Sequence, residues 1–218
     1  ELNLIDGGTA RGTTAVADGD GFLTNDAGTM RMTTVETLAT YMGTKITGGS
    51  LVYLASSGVI SNAASVAFTQ FDASEYDSYQ FHLLYVIPAT DNTRLMAHAS
   101  VNGGGAYDST DGNYKFGSTT NATGFPMTQS ERIGSASNEF GVCGQLSIFS
   151  PALSGTYTMA KAETILIDAS GNINEGAIDS VGASVYLNTT AVNAVQFKML
   201  SGNIESGEIV MYGIANGT

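Results

Sequence analysis

Charged side chains are scarce in this sequence, at 13% of 218 residues, roughly half the ~25% of an average soluble domain. The surface must therefore be made polar by Ser, Thr, Asn, Gln and Gly, as on extracellular proteins and particle components. Positive charge is scarcer still: eight Lys plus Arg stand against twenty Asp plus Glu, for a net charge of -12. The eight cations (Arg11, Arg31, Lys45, Arg94, Lys115, Arg132, Lys161 and Lys198) are scattered. Without a basic stripe, nucleic acid and anionic membranes are poor partners. One cysteine, Cys143, excludes an intrachain disulfide, and its place in the apolar run from Val142 to Phe149 predicts a buried thiol. No stretch approaches the ~20 apolar residues of a membrane span, and no basic start followed by an apolar core opens the chain, so membrane insertion is not expected. The first residue is Glu1 rather than Met, which suggests a processed chain or an excised fragment.

Proline is also rare, at 3 residues, whereas glycine is abundant, at 27. That balance predicts many tight turns rather than stiff linkers, and it argues against a helical bundle. Hydrophobic residues make up 43% of the chain, enough for one sizeable core.

Residues 1 to 20, rich in Gly, Thr and Asp, show no sustained period and are expected to be extended. Phe22-Leu-Thr, the turn signal Asn25-Asp-Ala-Gly28 and the alternating Met30-Arg-Met-Thr predict a short hairpin. Thr33-Thr-Val-Glu36 has capping-box spacing, and Val35, Leu38, Ala39 and Met42 follow at helical intervals until Gly43 is expected to end the helix. So short a helix cannot stand alone. Met30, Met32, Val35, Leu38 and Met42 are the candidate assembly surface, with the methionines as adaptable packing groups.

From about residue 50 the pattern becomes short runs of period two: Leu51 to Ala55, Val66 to Phe71, Tyr79 to Ile87, Thr93 to Val101, Val142 to Phe149, Thr164 to Asp168, Ala183 to Leu187, Val192 to Leu200 and Glu208 to Ile214. Such runs separated by turn residues predict an all-β fold, an antiparallel β-sandwich of jelly-roll-like type over 49–218, preceded by the hairpin and helix of an attachment or trimerisation segment, 1–48. Residues 102 to 140 read as an elaborated loop with its own hairpin, at the end or side of the sandwich. If 88 to 92 close a hairpin, Tyr79, Phe81, Leu83 and Tyr85 oppose Val101, Ala99, Ala97 and Leu95 on an apolar face. The same register sets His82 beside His98 on the other face.

Two histidines without a third ligand do not make a metal site, and no metal or other cofactor is expected. Asp18-Gly-Asp-Gly21 and Asp108-Ser-Thr-Asp111-Gly-Asn113 miss calcium-loop spacing and read as turns. There is no Gly-x-Ser-x-Gly elbow, phosphate loop or His-x-x-x-His pair. Asp72, Glu75, Asp77, Glu131 and Glu139 could converge as glycosidase carboxylates, but with twenty carboxylates such convergence means little, so no enzymatic activity is expected. In the long loop, aromatic rings lie beside Asn and Asp, the combination that holds sugar rings. Asn102, Tyr107, Asp108, Asp111 and Tyr114 are the candidate ligand contacts.

Two stretches carry a resemblance. Val16-Ala-Asp-Gly-Asp-Gly-Phe-Leu-Thr-Asn-Asp-Ala-Gly-Thr-Met-Arg-Met-Thr-Thr-Val-Glu-Thr-Leu38 is similar to a strand, turn, strand and short-helix unit of phage tail-fibre and virion proteins. Tyr76-Asp-Ser-Tyr-Gln-Phe81, Val86-Ile-Pro-Ala-Thr-Asp-Asn92 and the closing run from Ala194 to Ile214 resemble a β-sandwich module of phage structural proteins. The resemblance spans about two thirds of the chain and offers no shared catalytic residues. It implies a virion location, a homotrimer formed through the N-terminal unit, contacts with other virion proteins, and a host cell-surface glycan or protein as the outward ligand. A capsid decoration or tail adaptor with a purely structural role, and a lectin-like carbohydrate-binding module, are the alternatives.

Overall fold

The structure, a computed structural model, describes residues 15–45, 51–117, 119–128, 132–175 and 182–215. Its contacts divide the chain into two compact units, one ending at Gly48 and one running from Gly49 to Gly217.

In the first unit, β1 (Gly21–Asp26) and β2 (Thr29–Thr34) form an antiparallel hairpin, followed by α1 (Val35–Lys45). Ala27 and Gly28 both take positive φ, 50° and 93°, which matches the twist a two-residue hairpin turn needs. Asn25 Oδ1 accepts from the Gly28 N–H at 2.7 Å, and Arg31 pairs with Asp26 at 2.8 Å. The helix cap lies one residue later than its spacing predicts: Thr34 Oγ1 accepts from the Thr37 N–H. Backbone carbonyls of Asp20 and Asp18 take the N–H groups of Val35 and Glu36. These bonds give the Asp18-Gly-Asp-Gly21 turn a structural role. Gly43 does not end the helix, which runs on to Lys45. One glycine costs only about 1 kcal/mol in a helix, too little to stop it alone.

The second unit is all β. Its strands are β3 (Leu51–Ser56), β4 (Ile60–Ala63), β5 (Val66–Phe68), β6 (Tyr76–Pro88), β7 (Leu95–Ser100), β8 (Tyr114–Phe116), β9 (Thr119–Ala122), β10 (Phe125–Pro126), β11 (Val142–Phe149), β12 (Thr158–Ile167), β13 (Ile173–Glu175), β14 (Ala183–Tyr186), β15 (Ala194–Met199) and β16 (Ile204–Ala215). Four form a small sheet in the order β10-β7-β15-β5. Ten form a large sheet with the path β3-β16-β6-β11-β12-β14-β8-β9, to which β4 and β13 add at β16 and β12. Every pairing among the described residues is antiparallel.

The two sheets face each other across one apolar core. Phe81 of the large sheet meets Phe68 and Phe197 of the small sheet, with ring centroids 5.4 and 5.3 Å apart in edge-on geometry. Such pairs add about 0.5–1.5 kcal/mol beyond area burial. Alternation along the strands then assigns the outer faces: Tyr79, Phe81 and Leu83 point in, so Gln80, His82 and Leu84 point out.

All nine period-two runs are strands, but the expected hairpin between β6 and β7 does not form. β6 pairs with β16 and β11, whereas β7 pairs with β15 and β10, so residues 89–94 carry the chain from one sheet to the other. A hairpin and a cross-sandwich arch both point alternate apolar residues at one core, so periodicity alone does not separate them. Tyr85, at φ 40°, sits at a bulge that shifts the alternation and brings Val86, not Tyr85, into the core. His82 and His98 consequently lie on opposite outer faces of the sandwich.

Candidate functional site

The 102–128 segment is woven into both sheets. β8 joins the large sheet beside β14, the β8–β9 hairpin follows as expected, and β10 extends the small sheet beside β7. Of the candidate ligand contacts, Tyr114 is a core residue with no exposed surface. Its ring stacks on Tyr186 at 4.7 Å, and its hydroxyl accepts from the Ala99 N–H while donating to the Asp108 carbonyl. Burial pushes the phenols of Tyr114 and Tyr186 up, the latter to about 12. Asp108 is half-buried. Burial pushes its carboxyl up, but hydrogen bonds from the Thr110 N–H, Asn113 and Tyr186 outweigh that and hold it below the ordinary carboxylate value. Asn102 accepts from the Ser100 hydroxyl and the Ala106 N–H, closing its own turn. Tyr107 is half-buried and Asp111 exposed. The side-chain oxygens of Asn102 and Asp108 are thus spent on the fold.

A larger surface, unmarked by any motif, covers the outer face of the ten-stranded sheet. The rings of Tyr53 and Tyr212 meet edge-on at 6.2 Å, and Tyr212 lies 5.1 Å from the His82 ring. His82 Nε2 is 3.0 Å from Gln80 Oε1, Gln80 donates to Gln145 at 2.8 Å, and Gln145 donates to Glu163 at 2.8 Å. Lys161 closes the chain on Glu163. The network crosses β3, β16, β6, β11 and β12, about 20 Å at the usual ~4.8 Å strand spacing. Apolar side chains flank it: Phe149 and Met159 oppose each other on one margin, and Cys143 opposes Ile165 on the other, near exposed Phe140 and Ile173. Cys143 is half-buried, and its Sγ accepts from the Tyr85 N–H. These residues lie far apart in sequence, so only strand pairing brings them together.

A third feature is a cleft on the outer face of the small sheet. Arg94, Met96, Phe116, Ala122, Thr123, Pro126 and Leu200 enclose about 220 Å³. Among the described residues, no group of three or more His, Cys, Asp or Glu could hold a metal ion. Asp72 and Glu139 each accept hydrogen bonds within their own turns, from Ser74 and Ala136; Glu131 lies outside the described residues.

In the first unit, Val35 and Leu38 are half-buried, whereas Met30, Met32 and Met42 are 56, 79 and 50% exposed. Leu23, opposite Met32 across the hairpin, is 60% exposed. In comparisons with protein-family models, curated proteins and solved structures, none matches this chain.

Proposed function

We propose that this chain is a non-catalytic module of a virus particle, of the tail-fibre or appendage kind. Its N-terminal unit joins copies into a homotrimer and its sandwich engages the host cell surface. The observation that carries this reading is the open apolar surface of the hairpin–helix unit. Leu23, Met30, Met32 and Met42 sit on a unit too small to bury them itself. A second and third copy of the same unit supply the missing cover, in agreement with the resemblance to virion proteins. The Tyr53–Tyr212–Gln80–Gln145–Glu163 surface supports the adhesive half, because aromatic rings beside fixed amides and a carboxylate suit a glycan or a polar protein face.

A second reading, a capsid decoration or tail adaptor, is favoured by the apolar margins of that same face, since contiguous apolar surface of this kind marks a protein contact. Particles assembled without the protein separate the two. Loss of adsorption with intact particles supports the appendage reading, and fragile particles with normal adsorption support the structural one. Imaging of labelled protein on whole particles tests the virion location itself.

A further inference from the structure

The outer face of the four-stranded sheet carries Arg94, Met96 and His98 beside Gln196, Lys198 and Leu200, because Leu95, Ala97, Ala99, Val195, Phe197 and Met199 fill the core. Phe116 and Ala122 of the β8–β9 hairpin, with Thr123, wall the cleft over this face. At about 220 Å³ it is smaller than the ~300 Å³ where drug-sized sites begin, so it takes one small chemical unit.

Its walls are apolar except for Thr123 and Arg94. Among the described residues, the Nε of Arg94 is the one buried side-chain polar atom without a hydrogen-bond partner. Among the described residues no carboxylate forms an ion pair with this guanidinium, although the chain has twenty Asp plus Glu against eight Lys plus Arg. Among the described residues its charged neighbour is Arg132, of like sign, and burial followed by Arg132 pushes its pKa down. Lys198, opposite Met96, adds another cation on the sheet face that carries Arg94. An unpaired, partly desolvated arginine among other cations destabilises a fold. The arrangement makes sense once an anion completes it: the guanidinium fork matches a carboxylate, Phe116 offers a flat apolar wall, and Arg132 and Lys198 steer.

We propose that this cleft binds a carboxylate carried on a small ring with an apolar face, the acidic sugar unit of a surface glycan, with Arg94 as the carboxylate ligand. The choice of a sugar rests on the host-attachment reading; the carboxylate rests on Arg94 alone.

The test is NMR titration of the full chain, following the Met96 methyl and the Thr123 amide, with glucuronate, N-acetylneuraminate, cyclohexanecarboxylate and, as the uncharged control, glucose. At least one sugar acid is expected to give saturable shifts at both probes while glucose gives none, and Arg94→Met is expected to weaken that binding at least about tenfold. Arg94→Met is also expected to melt at the same temperature as the parent or higher, which separates lost binding from lost folding. Absence of saturable shifts with every acid up to about 20 mM, equal binding of glucose, or unchanged binding in Arg94→Met overturns the proposal. Binding of cyclohexanecarboxylate but neither sugar acid overturns the sugar assignment. A monomeric chain that still binds sugar acids leaves this site standing and removes only the trimer. A trimer that binds none removes only the site.

Discussion

The Tyr186 hydroxyl donates to Asp108 Oδ2 at 2.8 Å, joining residues 78 positions apart. Asp108 also takes the Asn113 amide at 2.7 Å, and its backbone bonds Ala99 and the Tyr114 hydroxyl. One residue therefore ties β14 and β8 of the large sheet to β7 of the small one, by its carboxylate to Tyr186 and Asn113 and by its backbone to Tyr114 and Ala99. The Asp108-to-Asn113 segment resembles an ion loop, yet both carboxylate oxygens of Asp108 already accept hydrogen bonds from the protein.

Asp108→Ala strands the Tyr186 hydroxyl and the Asn113 amide at a partly buried site. We expect a loss of about 2 kcal/mol in urea unfolding. Asp111→Ala, at the exposed end of the same turn, is expected to stay within about 0.5 kcal/mol. Equal effects would contradict the structural role of Asp108.

Acid stability separates two groups. Burial pushes the His98 imidazole down, with the Lys198 ammonium adding to the effect and Asp108 opposing it. Below the ordinary value of about 6.5 the unfolded chain binds the extra proton first, so stability falls as pH drops from about 6.5 toward the folded pKa. Asp108, held low, contributes stability above its ordinary value that is lost only as pH falls below about 4. Urea midpoints at pH 7 and 5.5 should converge in His98→Gln, whereas Asp108→Asn should keep the parent's drop over that range.

Gly144 has a φ of 139°, and a Cβ there would collide with the Glu163 carbonyl on β12. Gly144→Ala is expected to cost about 3 kcal/mol or more, since strain and a backbone clash add. Gly155→Ala has a φ of 84° but open space, and is expected to cost about 1–2 kcal/mol. Thermal melts of the two variants rank them.

Sequence periodicity located the strands because each alternates against one core, and it located the β1–β2 hairpin because Asn25 to Gly28 carries turn chemistry. It could not say which strands pair. The Pro88-to-Asn92 segment reads equally as a hairpin loop or an arch, and the arch carries His98 away from His82. β12 begins at Thr158 rather than Thr164 because its first inward residues, Thr158, Ala160 and Ala162, are too small to raise a hydrophobic signal. In sequence Tyr114 reads as a ligand contact because aromatics among polar residues suit sugars. It is buried because the inserted segment supplies a strand to the sheet. The Gln80–Gln145–Glu163 network had no local pattern at all, since its members meet only through the pairing of β6, β11 and β12.

The proposed function makes the N-terminal unit an assembly element. Light scattering on the full chain at micromolar concentration tests it most directly, paired with a Leu23→Ser, Met32→Ser double variant whose changes fall on exposed side chains. The prediction is a mass of three chains of 22.5 kDa for the parent and one chain for the variant, with the sandwich still folded. A parent that remains a single chain, or a variant that remains a trimer, contradicts it.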